Sequence, residues 1–354
     1  MTGRLADPAM SLATDPRADP RMVAALAAYG LDGLSEPLEL ASDTPLEEIL
    51  AICLASEEGF MGLFEVIGSS HPPVPGVTRE TVTIDGPAGD PLKFFIHRPE
   101  SATGPLPAMV HIHGGGMAIL HAASPLYHHM RDLLASAGML VVGVEFRNAA
   151  GALGPHAFPA GLDDCVAAVR WTLDGAADLG AGRLVLAGES GGGNLSLATA
   201  LRANREGWID QIAGVYGMCP YIAGPSIYRD PPEELGSLEE NDRYFISRDL
   251  LMPLATAYDP EGAYETDPLC WPLHASDDDL VGLPPHAISV NELDPLRDEG
   301  LAYLRRLWAA GVQATGRVVP GTCHGGDLIF SAAFPDVTAS TLSDVAAFVY
   351  RVTA

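Results

Sequence analysis

The 354-residue sequence predicts an α/β fold: a mostly parallel central sheet with helices on both faces and a helical segment inserted above it. Three observations carry this. From Ala108 onward, short apolar runs alternate with amphipathic stretches at helical spacing. Met139–Phe146 is apolar almost throughout, as a strand buried on both sides of a parallel sheet must be. Leu184–Ala203 runs from an apolar strand through Gly188-Glu189-Ser190-Gly191-Gly192 into a segment of good helix formers.

In chain order, Met1–Pro20 is rich in Pro, Asp and Ala without a period and is expected to lie on the surface as an arm. Arg21–Tyr29 reads as a short helix stopped by Gly30. Thr44-Pro45-Leu46-Glu47 reads as a capping box, followed by Leu46, Ile49, Leu50, Cys53 and Leu54 at helical spacing. His71-Pro72-Pro73-Val74-Pro75 marks a linker. Thr81–Asp85 and Leu92–His97 form an antiparallel pair, and Ala108–His111 is a third strand. Ser124 caps a helix that ends before Gly138. Leu162, Cys165, Val166, Val169 and Leu173 give the next helix its apolar face. The alternation breaks between Pro220 and about Pro268, a stretch dense in Pro, Tyr and acidic residues. It resumes with His286–Asn291, Leu296–Gly311, Ala314–Val319 and Leu342–Val352. The expected organisation is therefore an N-terminal arm and lid helices over 1–80, a core over 81–219 and 269–354, and an inserted lid segment over 220–268.

Composition narrows the function. Lys+Arg number 20 against 46 Asp+Glu, a net charge of −26, which argues against nucleic acid and anionic membrane surfaces. The cysteines, Cys53, Cys165, Cys219, Cys270 and Cys323, are scattered without a C-x-x-C, which fits free thiols in a reducing compartment better than disulfides or a zinc site. The N-terminal stretch has no apolar signal core, and no run is long enough to span a bilayer, so a cytoplasmic protein is expected.

Residues 188–192 match G-x-S-x-G. A strand turning sharply into a helix lifts Ser190 clear of the sheet at a strained backbone angle, beside free N–H groups. A dinucleotide fingerprint would need glycine where Ser190 stands, and a phosphate loop would need Gly-Lys-Ser/Thr to follow; neither does. Serine needs a base, and the base needs an orienting acid, in the chain order Ser, Asp or Glu, His. Two downstream loops fit. Val290–Glu299 offers Asp294, past the strand end; Glu292 and Asp298 read as structural. The competing reading of Asp294 is as a helix N-cap ahead of Pro295. Val319–Gly326 offers His324 among small residues, whereas His274 and His286 precede a strand and His111, His113, His121, His128, His129 and His156 precede Ser190. His113-Gly114-Gly115-Gly116 follows the third strand. The N–H groups of Gly114, Gly115 and Gly191 are expected to form an oxyanion hole, with His113 orienting the loop.

These stretches, with Asp294-Pro295-Leu296-Arg297-Asp298-Glu299-Gly300 and His324-Gly325, resemble the hormone-sensitive-lipase-like family of α/β-hydrolase esterases. The resemblance implies an α/β-hydrolase fold with a helical lid, and cofactor-free, metal-free hydrolysis of a small to medium carboxylic ester or a lactone. Ser190, His324 and Asp294 would then be the catalytic triad. Glu189 and Gly191 depart from the commoner Asp and Ala of the elbow, and Phe146-Arg147-Asn148 from a more usual Tyr-Arg-Leu. The alternatives are a non-catalytic small-molecule receptor on the same fold, which the retained His324 disfavours, or an amidase or acyltransferase with the same triad.

Overall fold

The computed structural model describes residues 7–38, 40–41 and 43–354; the part of the expected arm from Met1 to Ala6 lies outside them. Eight strands form one sheet in the order β1-β2-β4-β3-β5-β6-β7-β8. They are β1 (Val77–Asp85), β2 (Pro91–Pro99), β3 (Leu106–Ile112), β4 (Leu140–Glu145), β5 (Ala181–Glu189), β6 (Ile212–Met218), β7 (His286–Asn291) and β8 (Ala314–Val319). The β1–β2 and β2–β4 pairs are antiparallel, and the remaining pairs are parallel. Central strands are buried along nearly their whole length, whereas β1 at the edge keeps only Val77, Val82 and Ile84 partly covered.

Among the described residues the α-helices are α1 (Pro20–Ala27), α2 (Leu46–Ser70), α3 (Pro125–Ser136), α4 (Ala160–Asp174), α5 (Ala176–Leu179), α6 (Gly191–Arg205), α7 (Pro225–Arg229), α8 (Ser237–Glu240), α9 (Arg248–Tyr258), α10 (Asp277–Leu280), α11 (Arg297–Ala309), α12 (Gly326–Ile329) and α13 (Pro335–Thr353). One layer contains α3 and α13. The other contains α4 and α6, with α10 linking α6 to α11.

Local chemistry sets some boundaries as the sequence foretells. The Ser124 hydroxyl accepts from the Tyr127 N–H at the start of α3, with Pro125 in the first turn. Start of α2 differs. Pro45 takes the capping position and offers no side-chain acceptor, while the Thr44 hydroxyl donates backwards to the Ala41 carbonyl, so the expected capping box does not form.

The expected surface arm is more tightly held than its composition suggests. Leu12 is fully buried, and the Asp19 N–H donates to the Gly321 carbonyl. Arg17 donates to Glu240 Oε1 at 2.6 Å and Asn241 Oδ1 at 3.3 Å. The insertion between β6 and β7 holds α7, α8 and α9. Helix α2 packs on α9 as well as on α3, so the N-terminal segment and the insertion meet over one end of the sheet.

Candidate active site

Ser190 lies between β5 and α6 with φ 56° and ψ −118°, a conformation a side chain rarely adopts. Such backbone strain is of order 1–3 kcal/mol and persists only where surrounding bonds fix it. Here the Ser190 N–H donates to the Met218 carbonyl at 2.9 Å, and its own carbonyl accepts from Asn194 and Tyr221. The turn can be this tight because a Cβ on Gly192 would lie 1.9 Å from the Ile112 carbonyl oxygen. The hydroxyl stands at the N-terminus of α6 and faces a cavity. It makes no hydrogen bond to a protein group among the described residues.

The loop after β7 sorts the three acidic candidates. Asp294 is fully buried, and its Oδ2 lies 2.8 Å from His324 Nδ1. Its Oδ1 accepts from the Leu296 N–H at 2.9 Å, so the carboxylate caps the turn ahead of α11 and holds the imidazole at once. Glu292 Oε2 instead accepts from the Gly321 N–H, and Asp298 Oδ2 accepts from the Ser237 N–H in the insertion. A carboxylate facing Nδ1 can only accept, so Nδ1 carries the proton and Nε2 is left as the basic nitrogen. Burial opposes charge on His324, but the Asp294 carboxylate and the adjoining Cys219 sulfur together outweigh it and raise the imidazole well above its ordinary 6.5.

The glycine loop after β3 corrects one expectation. The Gly114 N–H is already engaged: it donates to Glu189 Oε1 at 2.7 Å and faces the Tyr127 hydroxyl at 3.2 Å. The N–H groups of Gly115, Gly116 and Gly191 have no protein acceptor among the described residues. The first residue of α6 abuts this loop: a Cβ on Gly191 would sit 2.5 Å from Met117 N and 2.6 Å from Gly116 N. Gly114 is thus the anchor of the loop, and Gly116 joins Gly115 and Gly191 as a free donor. His113 orients the loop as expected: Nδ1 donates to the Gly114 carbonyl at 2.8 Å, and the ring stacks on Phe146 at 4.3 Å. Burial lowers His113 to about 3, so it stays neutral.

Gly114, Gly115, Gly116, Ser190 and His324 line one cavity. Most of its remaining wall is apolar, with Phe60 and Phe64 from α2 and Leu250, Leu251 and Leu254 from α9, beside Tyr127, Glu189, Cys219 and Tyr221. A neutral substrate desolvates into such a wall at little cost, whereas a charged one would not.

Sequence reasoning missed three residues. Asn241 Nδ2 donates to the carbonyls of both Glu292 and Asp294 at 3.1 Å, clamping the acid loop from the insertion. Glu57 on α2 is buried; Oε1 accepts from Leu120 N–H and Oε2 from Ala152 N–H. Cys219, at the end of β6 with φ 36°, lines the cavity beside His324. Glu57 is preceded by Ile49 and Cys53 at helical spacing, a signal that it falls on the buried face. Asn241 and Cys219 carry no such signal.

Comparison with known proteins identifies the family. The family described as the α/β hydrolase fold matches residues 109–327. Carboxylesterase NlhH of Mycobacterium tuberculosis is 34% identical over 259 residues, 70% of this chain and 75% of its own length. A solved brefeldin A esterase, described as a bacterial homologue of human hormone-sensitive lipase, superposes with a TM-score of 0.95 at 43% identity, covering 100% of this chain and 99% of that one. The esterase Est22 superposes at 0.85 with 38% identity over 96% and 99%. The chain belongs to the α/β-hydrolase-fold family, among its hormone-sensitive-lipase-like esterases, and is a carboxylesterase.

Proposed function

We propose that the protein hydrolyses neutral carboxylic esters of small to medium size, lactones included, through an acyl-enzyme on Ser190. His324 Nε2 takes the Ser190 proton as the hydroxyl attacks the ester carbonyl, and Asp294 stabilises the imidazolium that results. Negative charge on the carbonyl oxygen rests on the N–H groups of Gly115, Gly116 and Gly191. The imidazolium returns its proton to the leaving alcohol. Water, deprotonated by the same nitrogen, then releases the acid. The N-terminal helices and the insertion over 220–268 serve as the lid and supply the apolar wall.

The observation that carries this reading is the 2.8 Å contact between His324 Nδ1 and Asp294 Oδ2, from loops after two different strands, beside the strained serine in one cavity. Apo geometry commonly leaves the serine–histidine contact long until substrate closes it. A fluorophosphonate probe tests the reading. It is expected to modify Ser190 and to stop turnover of p-nitrophenyl esters in step with labelling. A protein that hydrolyses these esters at full rate with Ser190 labelled would overturn it.

A further inference from the structure

A larger apolar groove adjoins the catalytic cavity. The cavity encloses about 80 Å³ and the groove about 560 Å³. An apolar cavity of about 150 Å³ holds one benzene, so the catalytic cavity is too small for both halves of a medium-sized ester. The groove runs between the segment after α1, helix α2 and the insertion, with Leu31, Leu38, Leu63 and Val66 along its sides. Phe60, Phe245 and Leu250 line both spaces, so one layer of side chains separates them. Phe60 and Phe245 meet edge-to-face in that layer, with ring centroids 5.9 Å apart.

Two glycines inside α2, Gly59 and Gly62, border the groove. Glycine in a helix interior is destabilising relative to alanine, so its presence needs a reason. On the same helix Gly68 has a packing reason: a Cβ there would lie 2.3 Å from Leu126 N. Cβ atoms on Gly59 and Gly62 would meet nothing within 4 Å among the described residues. Packing does not require these two glycines; what they do is keep the groove open. Its hydroxyls are spent on backbone. Ser35 and Ser56 donate to the carbonyls of Arg243 and Ile52, and Ser247 accepts from the Leu250 N–H. Glu36 on the rim disfavours an anion. The groove therefore selects by apolar area.

We propose that this groove binds the alcohol half of the substrate, which is then the ester of an extended, uncharged, apolar alcohol, with Phe60 and Phe245 turning aside to admit it. The choice of half rests on the mechanism proposed for Ser190. There His324 returns its proton to the leaving oxygen, so the alcohol lies on the imidazole's side of the carbonyl. Phe245 stands on that side: its ring packs edge-to-face on Phe330 at 5.8 Å, just past α12, the short helix that follows His324. Phe245 also holds φ 70°, a conformation costly for a bulky residue and typical of ligand clamps. The groove's own wall helps to fix it, since the Ser35 N–H donates to the Arg243 carbonyl at 3.0 Å.

Filling the groove tests this without weakening the helix. Gly62→Leu puts a side chain into open space and removes a helix-interior glycine, so the melting temperature should not fall. On acetate esters of ethanol, butanol, hexanol and octanol, kcat/KM of the unsubstituted protein should rise about fourfold for each methylene that reaches the groove. In Gly62→Leu the octyl-to-ethyl ratio should shrink about tenfold or more, the worth of two excluded methylenes. The ratio between ethyl octanoate and ethyl acetate, which varies the acyl half, should stay as it was. An unchanged alcohol ratio, or a loss that follows acyl length instead, overturns the proposal. Should Gly62→Leu fail to fold, Gly59→Leu carries the same expectations. A second measurement needs no turnover. By calorimetry on the full chain, 1-octanol should bind more tightly than 1-butanol, and Gly62→Leu should remove the difference. That result would stand even if Ser190 were not the nucleophile. Equal binding of the two alcohols, or a difference that survives Gly62→Leu, sinks the groove and leaves the esterase reading untouched.

Discussion

The loops at the end of the sheet and the layer formed by α2 and α9 enclose the same cavity by different physics. The loops are set by backbone: a serine at φ 56°, glycines packed against carbonyls, and a buried carboxylate with both oxygens engaged. The covering layer contributes Phe60, Phe64, Leu250, Leu251 and Leu254, which touch the cavity through replaceable apolar atoms. Chemistry that needs sub-ångström placement sits where hydrogen bonds and strain over-determine geometry. Selection among substrates sits where one side chain can change without disturbing another.

The sharpest break of that contrast is Ser190→Ala. Ester turnover is expected to fall by on the order of 10⁴–10⁶, as triad knockouts do, with an unchanged or slightly raised melting temperature because only the hydroxyl is removed. Steady-state rates and thermal melts on the same preparation check it; a fall below tenfold would place the nucleophile elsewhere.

Asp294→Asn comes next, with a loss of about 10⁴ expected from the disfavoured tautomer. It also sharpens the electrostatic argument. His324 is raised above 6.5, so the neutral base is present only at higher pH, and kcat/KM should fall as pH drops through a midpoint above that value. Removing the carboxylate charge removes the largest of the raising causes, leaving only Cys219, so the residual activity of Asp294→Asn should show its acid limb at lower pH. An unmoved limb would assign it to another group.

How much of this was legible in the sequence follows the same division. Ser190, Asp294 and His324 could be named because strand–loop order and local glycines announce them. The dual role of Asp294, cap and imidazole partner, was visible only as two competing readings; the structure gives one oxygen to each. Gly114 was misassigned because a run of three glycines does not say which N–H is already taken; that depends on Glu189, 75 residues away in sequence. Arg17 and Asn241 were invisible for the same reason, since Arg17 bonds Asn241 in the insertion and Asn241 bonds the loop after β7.

Glu57 tests the seam between the two regions. Its carboxylate ties α2 to the backbone of the loops after β3 and β4. Glu57→Ala strands the buried Leu120 N–H, worth about 1–3 kcal/mol, and frees the Ala152 N–H on an exposed residue, so a drop of a few degrees in melting temperature is expected. Because Leu120 follows the glycine loop closely, turnover should fall too, by far less than in either triad variant. Loss of stability with full retention of rate would mean the oxyanion loop holds its shape without α2.

The smallest expected effect belongs to the covering layer. Leu254 on α9 reaches the glycine loop: a Cβ on Gly116 would lie 2.9 Å from its Cδ1. Leu254→Ala opens apolar space beside the free N–H groups without touching a hydrogen bond. Each methylene a longer acyl chain can then bury is worth about 0.8 kcal/mol, roughly fourfold in kcat/KM. Rates across p-nitrophenyl esters of rising acyl length should therefore tilt towards longer chains, while kcat for the shortest changes little. A uniform fall across the series would show that Leu254 positions the oxyanion loop rather than filling the cavity, and the division between rigid chemistry and exchangeable wall would have to be redrawn at α9.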